Sequence, residues 1–250
     1  MLTEKRYDAI LRMVDKNRAV TVQELTEQLG ISESTARRDL TALDSMGKLN
    51  KVFGGATARS STYTTRDLSM REKMQLRYKE KASIAKYAAS LIKKDDFVYI
   101  DAGTTTQLIT DYLEQTQCVF VTNSLAHAQA LSARGCRTII LGGELKRVTE
   151  ALVGSGALET LRKYNFGLGF FGTNGVDAEH GFTTPDPEEA MIKRSAMERC
   201  ARRYVLCDSS KFGQVSAVTF AAFGDAVIIT DKKPDKGYSS YTNIKEVGGK

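Results

Sequence analysis

Two short helical patterns lie close together near the start of the chain, separated only by the tripeptide Gly-Ile-Ser. Thr21 and Glu24 have the spacing of a capping box, in which a side chain and a backbone group satisfy each other at a helix start. The pattern predicts one helix over residues 22–29 and a second over residues 33–46, which begins after Ser32. Two helices joined by so short a connection predict a helix-turn-helix.

The residues on either side of these helices complete a small domain. Apolar side chains at helical spacing predict a further helix over residues 3–16, and residues 49–53 can form a short strand. Two consecutive glycines then permit a tight turn, so a β-ribbon, or wing, is predicted beside the helices. We therefore expect a winged helix-turn-helix over residues 1–57, followed by a polar linker over residues 58–80 whose second half has helical character.

The second capped helix carries hydroxyl and basic side chains at its start. Arg37 and Arg38 oppose the helix dipole there, which is explained if a phosphate or a guanine lies opposite. A solvated helix face with an arginine pair is the simpler alternative for this helix taken alone. Together with the wing, the pattern predicts double-stranded DNA as a partner, contacted by Thr21, Ser32, Ser34, Thr35, Arg37, Arg38, Lys48 and Lys51. Two-fold DNA sites call for a homo-oligomer, either a dimer or a tetramer.

From about residue 81 the pattern changes, and short apolar segments alternate with helical ones. The apolar segments are FVYID, CVFVT, RTIILGG, FGLGFFG, RYVLCD and AVIIT. Helices are predicted around residues 80–92 and 105–114, from about residue 124, and over residues 151–163 and 187–202. This alternation predicts an α/β domain over residues 81–250, with a mostly parallel sheet that helices cover on both faces.

The loop after the first of these strands is a candidate anion site. The strand ends at Asp101, Gly103 turns the chain, and three threonines open the predicted helix. Free N–H groups at a helix start attract anions, and ligands bind at the carboxyl edge of parallel sheets. Other strands run into similar small or polar loops, and Lys211 follows one of them. A capped turn and an exposed lysine are the structural alternatives.

The composition limits the other classes of function. The four cysteines form no CxxC pair and have no histidine at zinc-ligand spacing, so we expect free thiols, no metal site and no cofactor. The sequence holds no apolar run near the roughly 18 residues that span a membrane, and its start lacks the apolar core of a signal peptide. These features lead us to expect a cytoplasmic protein. A net charge of +6 is compatible with nucleic acid binding without demonstrating it.

In combination and order, these motifs resemble the DeoR family of bacterial regulators. The block VQELTEQLGISESTARRDLTALDSMGKLNKVFGGA looks like that family's winged helix-turn-helix. The stretches DAGTTT, VTNS, LGGE, GTNGV, GFTTPDPEEAMIKR and DSSKFG look like its sensor domain. The resemblance implies a sensor fold like that of ribose-5-phosphate isomerase and an effector that is a phosphorylated sugar. The stretches NFGLGFFGTNGV and GFTTPDPEEA are similar to repressors of fructose operons in Gram-positive bacteria, which implies fructose 1-phosphate.

The resemblance implies that the ligand of the candidate anion site is a phosphorylated sugar. We expect the phosphate at the helix start, a compensating charge from Lys211, and hydrogen bonds from two asparagines to sugar hydroxyls. The predicted effector-binding residues are Asp101, Gly103, Thr104, Thr105, Thr106, Asn123, Asn174 and Lys211.

Two functions remain to be compared. The first is a DNA-binding regulator that represses a sugar-utilisation operon until a phosphorylated sugar binds. The second is an aldose–ketose isomerase, which needs a carboxylate base within reach of the first two carbons of the sugar. The carboxylates considered for that base are Asp101, Glu144, Asp177 and Asp208, and spacing selects none of them. The fused DNA-binding module favours the regulator, because catalysis does not need it.

Overall fold

The computed structural model describes residues 3–17, 19–46, 48–52, 54–58, 69–234 and 237–248. The chain divides into two units, residues 1–62 and 63–250. One buried apolar cluster lies in the first unit and two lie in the second. Residues 59–68, the first half of the expected linker, lie outside the described residues.

In its described part, the first unit combines three helices with a three-stranded sheet. In chain order these elements are α1 (Thr3–Asn17), β1 (Ala19–Thr21), α2 (Val22–Leu29), α3 (Glu33–Ser45), β2 (Leu49–Val52) and β3 (Gly55–Ala58). The strands pair antiparallel in the order β1-β3-β2. The predicted wing is therefore present and has an additional strand, β1, which was not predicted from the sequence. Residue 53, the predicted end of the wing strand, lies outside the described residues.

Both predicted caps begin their helices. Thr21 Oγ1 accepts a hydrogen bond from the Glu24 N–H at 3.1 Å, and the Glu24 carboxylate accepts one from the Thr21 N–H at 2.7 Å. Ser32 begins α3 by accepting from the Thr35 N–H at 3.3 Å. Gly30 follows α2 with a φ of 62°, a left-handed conformation that favours glycine. The helix-turn-helix predicted from the sequence is confirmed.

The second unit alternates strands with helices. Its elements are α4 (Met70–Gln75), α5 (Tyr78–Ser90), β4 (Phe97–Ile100), α6 (Thr104–Gln107), β5 (Val119–Thr122), α7 (Leu125–Ala133), β6 (Arg137–Ile140), β7 (Glu144–Leu145), β8 (Leu152–Val153), α8 (Ser155–Leu161), β9 (Phe166–Gly172), β10 (Gly175–Asp177), β11 (Gly181–Thr184), α9 (Pro187–Glu198), β12 (Cys200–Leu206), β13 (Val218–Ala221), β14 (Val227–Thr230) and β15 (Ile244–Glu246). Short 3-10 turns occupy Leu108–Tyr112, Ser209–Lys211 and Phe223–Asp225.

A seven-stranded sheet in the order β15-β14-β12-β9-β4-β5-β6 forms the centre of the second unit. All six pairs of neighbouring strands are parallel, as predicted from the apolar segments. From β4 the chain continues through β5 to β6 in one direction, whereas β9 lies on the other side of β4 and leads towards β12 and β14. The strand order thus reverses between β4 and β9, and a crevice forms at the carboxyl edge of a sheet at such a point.

Both faces of this sheet are buried. Along β4 and β9, Tyr99 and Phe171 belong to one apolar cluster, whereas Val98 and Phe170 belong to the other. Continuous apolar strands of this kind are typical of parallel sheets that are covered on both sides. Smaller antiparallel sheets, β10-β11-β13 and β7-β8, accompany the large one. Among the described helices there is none whose length and hydropathy would let it cross a membrane.

Several predicted boundaries differ from the structure. The helix predicted over residues 187–202 ends at Glu198, because Cys200 already pairs with Phe166 in the sheet and strand pairing outweighs local helical spacing. The helix predicted over residues 151–163 starts only at Ser155, since β8 precedes it. The helix predicted over residues 105–114 is a four-residue α6 followed by a 3-10 turn. Residues 70–80 of the expected linker are mostly helical, in α4 and the start of α5.

Candidate functional site

The predicted DNA-contacting residues of the first unit gather on α3 and the wing. Ala36 and Leu40 are buried in the unit's core, and Arg37 and Arg38 are exposed. Arg37 forms an ion pair with Glu33 one turn earlier, at 3.1 Å. Exposed pairs of this kind are weak, so the guanidinium can exchange its partner for a phosphate or a base at little cost.

The hydroxyl side chains at the helix starts already make hydrogen bonds within the protein. Ser32 Oγ lies 3.0 Å from Ser34 Oγ and 2.9 Å from Thr35 Oγ1, and all three hydroxyls surround the first turn of α3. Thr21 caps α2 in the same way. Thr21 and Ser32 therefore have a structural role that is independent of any contact with DNA.

Hydrogen bonds connect the wing to α3. The Lys51 backbone N–H donates to Asp44 Oδ1 at 2.9 Å, and Lys51 Nζ donates to Thr41 Oγ1 at 2.8 Å. Lys48 and Lys51 are both exposed. The one acidic residue buried within α3, Asp39, is paired with Arg6 of α1. These contacts leave lysines and arginines at the surface of α3 and the wing.

A cavity of about 430 Å³ opens in the second unit at the carboxyl edge of the sheet. The loops after β4, β9 and β12 line it, through residues 102–105, 172–174 and 206–208. It thus occupies the point where the strand order reverses, which is where ligands bind in open α/β sheets. Five of the predicted effector-binding residues line this cavity: Gly103, Thr104, Thr105, Asn174 and Lys211.

Basic side chains surround one part of the cavity and form what we call the basic cluster: Lys73, Arg77, Lys81 and Lys211. Lys81 Nζ donates to Thr104 Oγ1 at 3.0 Å and also to the Lys73 carbonyl oxygen. Burial lowers the pKa of Lys81 to about 8, and the cations of Lys211 and Lys73 act in the same direction. A bound anion would relieve this concentration of positive charge.

Asp208 is the acidic residue that accompanies the basic cluster. Its Oδ1 atom lies 3.6 Å from Arg77 Nε and accepts a hydrogen bond from the Ser210 N–H at 3.0 Å. Arg77 has a φ of 51° between α4 and α5, a left-handed conformation that few residues other than glycine adopt. Asp208 is one carboxylate beside Arg77, Lys81 and Lys211, so this part of the cavity suits an anionic ligand.

Three predicted effector-binding residues lie behind the wall of the cavity. Asp101 is buried and paired with Lys193, and its Oδ2 atom accepts from the Gly172 N–H at 3.1 Å. Burial raises the pKa of Asp101, although the Lys193 ammonium opposes this effect. Thr106 donates to the carbonyl oxygens of Asp101 and Gly103, at 2.7 and 2.9 Å. Asp101 and Thr106 therefore hold the loop in place instead of lining the cavity.

Asn123 has the same supporting role. It is 2% exposed, and its Oδ1 atom accepts from the Ala102 N–H at 2.8 Å and from the Tyr99 hydroxyl at 3.2 Å. The expected hydrogen bonds from Asn123 to a sugar stay a prediction: the amide oxygen is occupied by protein donors, and the amide nitrogen lies 3.5 Å from the Leu152 carbonyl oxygen. Asn174, in contrast, does line the cavity.

Several residues of the cavity were not predicted from the sequence. Lys81 comes from α5, and Glu189 and Lys193 come from α9. Glu189 accepts a hydrogen bond from Thr149 Oγ1 at 2.5 Å. Both α9 residues stand in GFTTPDPEEAMIKR, a stretch that shows the family resemblance but whose individual side chains were not assigned to a site.

Of the four carboxylates considered for an isomerase, Asp208 lines the cavity and the other three do not. Asp101 is buried in its ion pair, Glu144 is exposed on β7, and Asp177 binds His180 at 2.9 Å. Asp208 lines the cavity and already accepts from Ser210. Within the residues described, no three His, Cys, Asp or Glu side chains are placed to hold a metal ion.

The two units, a winged helix-turn-helix and an α/β unit with a cationic cavity, define the class of helix-turn-helix transcriptional regulators. Residues 6–62 match the DeoR-like helix-turn-helix domain, and residues 76–232 match the DeoR C-terminal sensor domain. The chain therefore belongs to the DeoR family.

Relatives match nearly the whole chain. The uncharacterized HTH-type transcriptional regulator FruR of Bacillus subtilis (strain 168) is 41% identical over 242 residues, which are 96% of this chain and 96% of the relative. The lactose phosphotransferase system repressor of Streptococcus mutans serotype c is 32% identical over 98% of this chain and 99% of its own. Among solved structures, ribose 5-phosphate isomerase A of Methanocaldococcus jannaschii aligns with a TM-score of 0.40 and 16% identity, over 53% of each chain.

Proposed function

We propose that this chain is a transcriptional repressor of a sugar-utilisation operon, and that a phosphorylated sugar releases it from its operator by binding the cavity of the second unit. Family membership and the lactose phosphotransferase system repressors among the relatives support the role in sugar metabolism. Fructose 1-phosphate is the first candidate effector, because of the resemblance to repressors of fructose operons.

The basic cluster is the observation that carries the effector part of the proposal. Its four cations face a cavity of about 430 Å³ at the strand-order reversal, and Asp208 is the acidic residue that accompanies them. A phosphate dianion would pair with Lys81 and Lys211 and would accept hydrogen bonds from the Thr104 and Thr105 hydroxyls. Because α6 has only four residues, the lysines would supply more of the attraction than the helix dipole does.

On the DNA side, we propose that α3 enters the major groove and that the wing follows the phosphate backbone. Arg37 and Arg38 would contact base edges or phosphates, and Lys48 and Lys51 would contact phosphates. A homodimer would place two such helices on a two-fold operator. Release requires only that the effector bind the DNA-free state more tightly than the DNA-bound state.

Calorimetry with a panel of sugar monophosphates tests the effector site. We expect Lys81→Met and Lys211→Met to weaken the tightest ligand by at least about 10-fold each, because each removes a charge-assisted hydrogen bond. Lys86→Met is the matched control: it removes an exposed lysine of the same helix as Lys81 and should change nothing. Thr105→Glu places a carboxylate beside the basic cluster and should abolish binding. Unchanged affinity in all three cavity variants would show that the effector binds elsewhere.

A gel shift with operator DNA, with and without the bound sugar phosphate, tests the coupling. We expect the ligand to lower the affinity for the operator and to leave non-specific binding almost unchanged. NMR of the sugar phosphates in the presence of the protein addresses the isomerase: conversion of one sugar phosphate to another would favour that alternative function.

A further inference from the structure

A buried carboxylate with an unused oxygen lies in the wall of the same cavity. Glu189 is 7% exposed, and the cavity provides that exposure. Its Oε1 atom accepts a hydrogen bond from Thr149 Oγ1 at 2.5 Å, while Oε2 receives no donor from the part of the chain that the structure describes. An accessible carboxylate oxygen that no protein donor engages can accept a hydrogen bond from a ligand hydroxyl.

Glu189 and the basic cluster contact different side chains. Lys81 Nζ donates to Thr104 Oγ1 at 3.0 Å, in the loop after β4, whereas Glu189 on α9 accepts from Thr149 Oγ1 at 2.5 Å. The cavity therefore has a cationic part and a separate part with a carboxylate.

Lys193 attracts Glu189 but is shared with Asp101, so one ammonium group faces two carboxylates. Its ammonium group is paired with Asp101 and donates to the Gly172 carbonyl oxygen at 3.2 Å. The part of the cavity at Glu189 therefore keeps an acceptor character, which suits hydroxyl groups and opposes a second anion.

We propose that Glu189 selects the chemical class of the effector, a sugar with one phosphate and an uncharged, hydroxylated opposite end. The carboxylate would accept hydrogen bonds from sugar hydroxyls, and Thr149 would hold it in position. A bisphosphate or a phosphorylated sugar acid would bring a second negative charge against a buried carboxylate and would be rejected. This inference rests on the proposed function, because it assumes that the phosphate binds at the basic cluster.

Calorimetry with matched probes tests the inference on the full-length chain. The probes are fructose 1-phosphate, fructose 6-phosphate, fructose 1,6-bisphosphate and 6-phosphogluconate. Each of the two monophosphates carries one of the two phosphates of the bisphosphate. We expect the better monophosphate to bind at least about 100-fold more tightly than the bisphosphate or the sugar acid, since like charges in an enclosed site cost several kcal/mol. A bisphosphate that binds as tightly as the better monophosphate overturns the inference.

Two variants assign this selection to Glu189. Glu189→Gln keeps the shape and removes the charge, so it should weaken the monophosphate by about 10-fold and bring the bisphosphate to within about 10-fold of it. Glu188→Gln is the matched control, because Glu188 is the exposed neighbour and pairs with Lys146 at 3.4 Å. Thr149→Val keeps the charge but removes the hydroxyl that positions it, so it should weaken the monophosphate while the bisphosphate stays excluded. Melting curves confirm that each variant is folded.

The outcomes separate this inference from the proposed function. If the monophosphates bind but the ratio of affinities is the same in Glu189→Gln and the wild type, Glu189 does not select the ligand and only this inference fails. If none of the four probes and no other sugar monophosphate binds, the proposed effector site fails, and this inference fails with it.

Discussion

Lys193 and Asp101 form an ion pair in which both side chains are buried, and the pair ties α9 to the loop that follows β4. Gly172, at the end of β9, joins them: its N–H donates to Asp101 and its carbonyl oxygen accepts from Lys193. The strands β4 and β9 are the two between which the strand order reverses. One ion pair therefore fixes the two loops that meet at the floor of the crevice.

Removing one partner of this ion pair should destabilise the second unit strongly. Lys193→Met leaves Asp101 buried without its counter-charge, and we expect a loss of about 3–5 kcal/mol in the free energy of unfolding. The double variant Lys193→Met, Asp101→Asn should lose clearly less than the sum of the two single variants, since the buried Asp101 charge is removed together with the lysine that compensated it. Urea denaturation, followed through the transition of the second unit, measures both. A Lys193→Met loss below about 1 kcal/mol would show that the pair is not buried.

Effector binding should weaken as the pH rises above about 8, because the Lys81 ammonium, which has a pKa of about 8, then loses its proton. A phosphate monoester is a dianion throughout the range from pH 7.5 to 9.5, since its second pKa is about 6, so the ligand does not cause the change. Binding should also take up protons above pH 8, because the bound dianion favours the charged lysine. Calorimetry in buffers of different ionisation enthalpy measures this uptake.

The control for this pH profile is Lys81→Arg, which stays charged throughout the range. Its affinity should be less sensitive to pH than that of the wild type, even if the longer side chain fits less well. An identical pH profile in the two proteins would show that another group is responsible.

The sequence predicted the elements whose signals are local. Thr21 and Ser32 begin helices because their side-chain oxygens accept a hydrogen bond from the backbone N–H three residues later. This arrangement is local, so it could be predicted without tertiary information. The strand-end loops around Gly103 and Lys211 were found because parallel strands bring their carboxyl ends to one edge. The three-residue strand β1 was missed, since its pairing with β3 joins Val20 to Ala56 across a long stretch of chain.

The missed site residues are those that helices contribute. Lys81 lies 23 residues from the Thr104 hydroxyl that it contacts, and Lys193 lies 92 residues from Asp101. Helical periodicity shows which face of α5 or α9 is apolar, but not which turn of the helix reaches the sheet edge. Asn123 was assigned to the ligand because it follows a strand, and that position does not reveal that its amide oxygen accepts from the Ala102 N–H.

The stability of the second unit should fall as the medium becomes acidic, because His127 is buried in its neutral form. Burial lowers the pKa of His127 to about 3 from about 6.5, and its Nδ1 atom has no partner within the described residues. The unfolded chain takes up the proton below pH 6.5 and the folded chain does not, so stability present at neutral pH is lost as the pH falls towards 3. From pH 7 to pH 5 this group alone should cost about 2 kcal/mol.

Denaturation curves at these two pH values test the contribution of His127. His127→Gln retains a group that can bond to Thr106 Oγ1, which lies 3.3 Å from the histidine Nε2 atom, but it cannot be protonated. The loss of stability between pH 7 and pH 5 should be smaller in this variant than in the wild type by about the same 2 kcal/mol. Equal losses in both proteins would assign the acid sensitivity to other groups.

Contacts of α3 with bases and with phosphates should be separable by comparing operator binding with non-specific binding. If Arg38 reads a base, Arg38→Ala should cost about 1–3 kcal/mol of operator binding and little non-specific binding. The same test applies to Arg37→Ala, which also removes the exposed pair with Glu33 and should leave stability almost unchanged. Arg12→Ala, an exposed arginine on α1, is the matched control. Gel-shift affinities that do not change in either α3 variant would contradict the assignment of α3 as the recognition helix.

The wing lysines should contribute to affinity without contributing to sequence preference. Each phosphate contact releases about one counterion, so removing a contacting lysine lowers the slope of log K against log salt by about 1. Lys48→Ala should show this effect alone, because Lys48 is exposed at the start of the wing. Lys51→Ala should show it together with a small loss of stability, since Lys51 Nζ also donates to Thr41. Fluorescence anisotropy over a series of salt concentrations, with operator and scrambled DNA, measures the slopes. Slopes that neither substitution changes would leave the wing a structural ribbon that does not touch the DNA backbone.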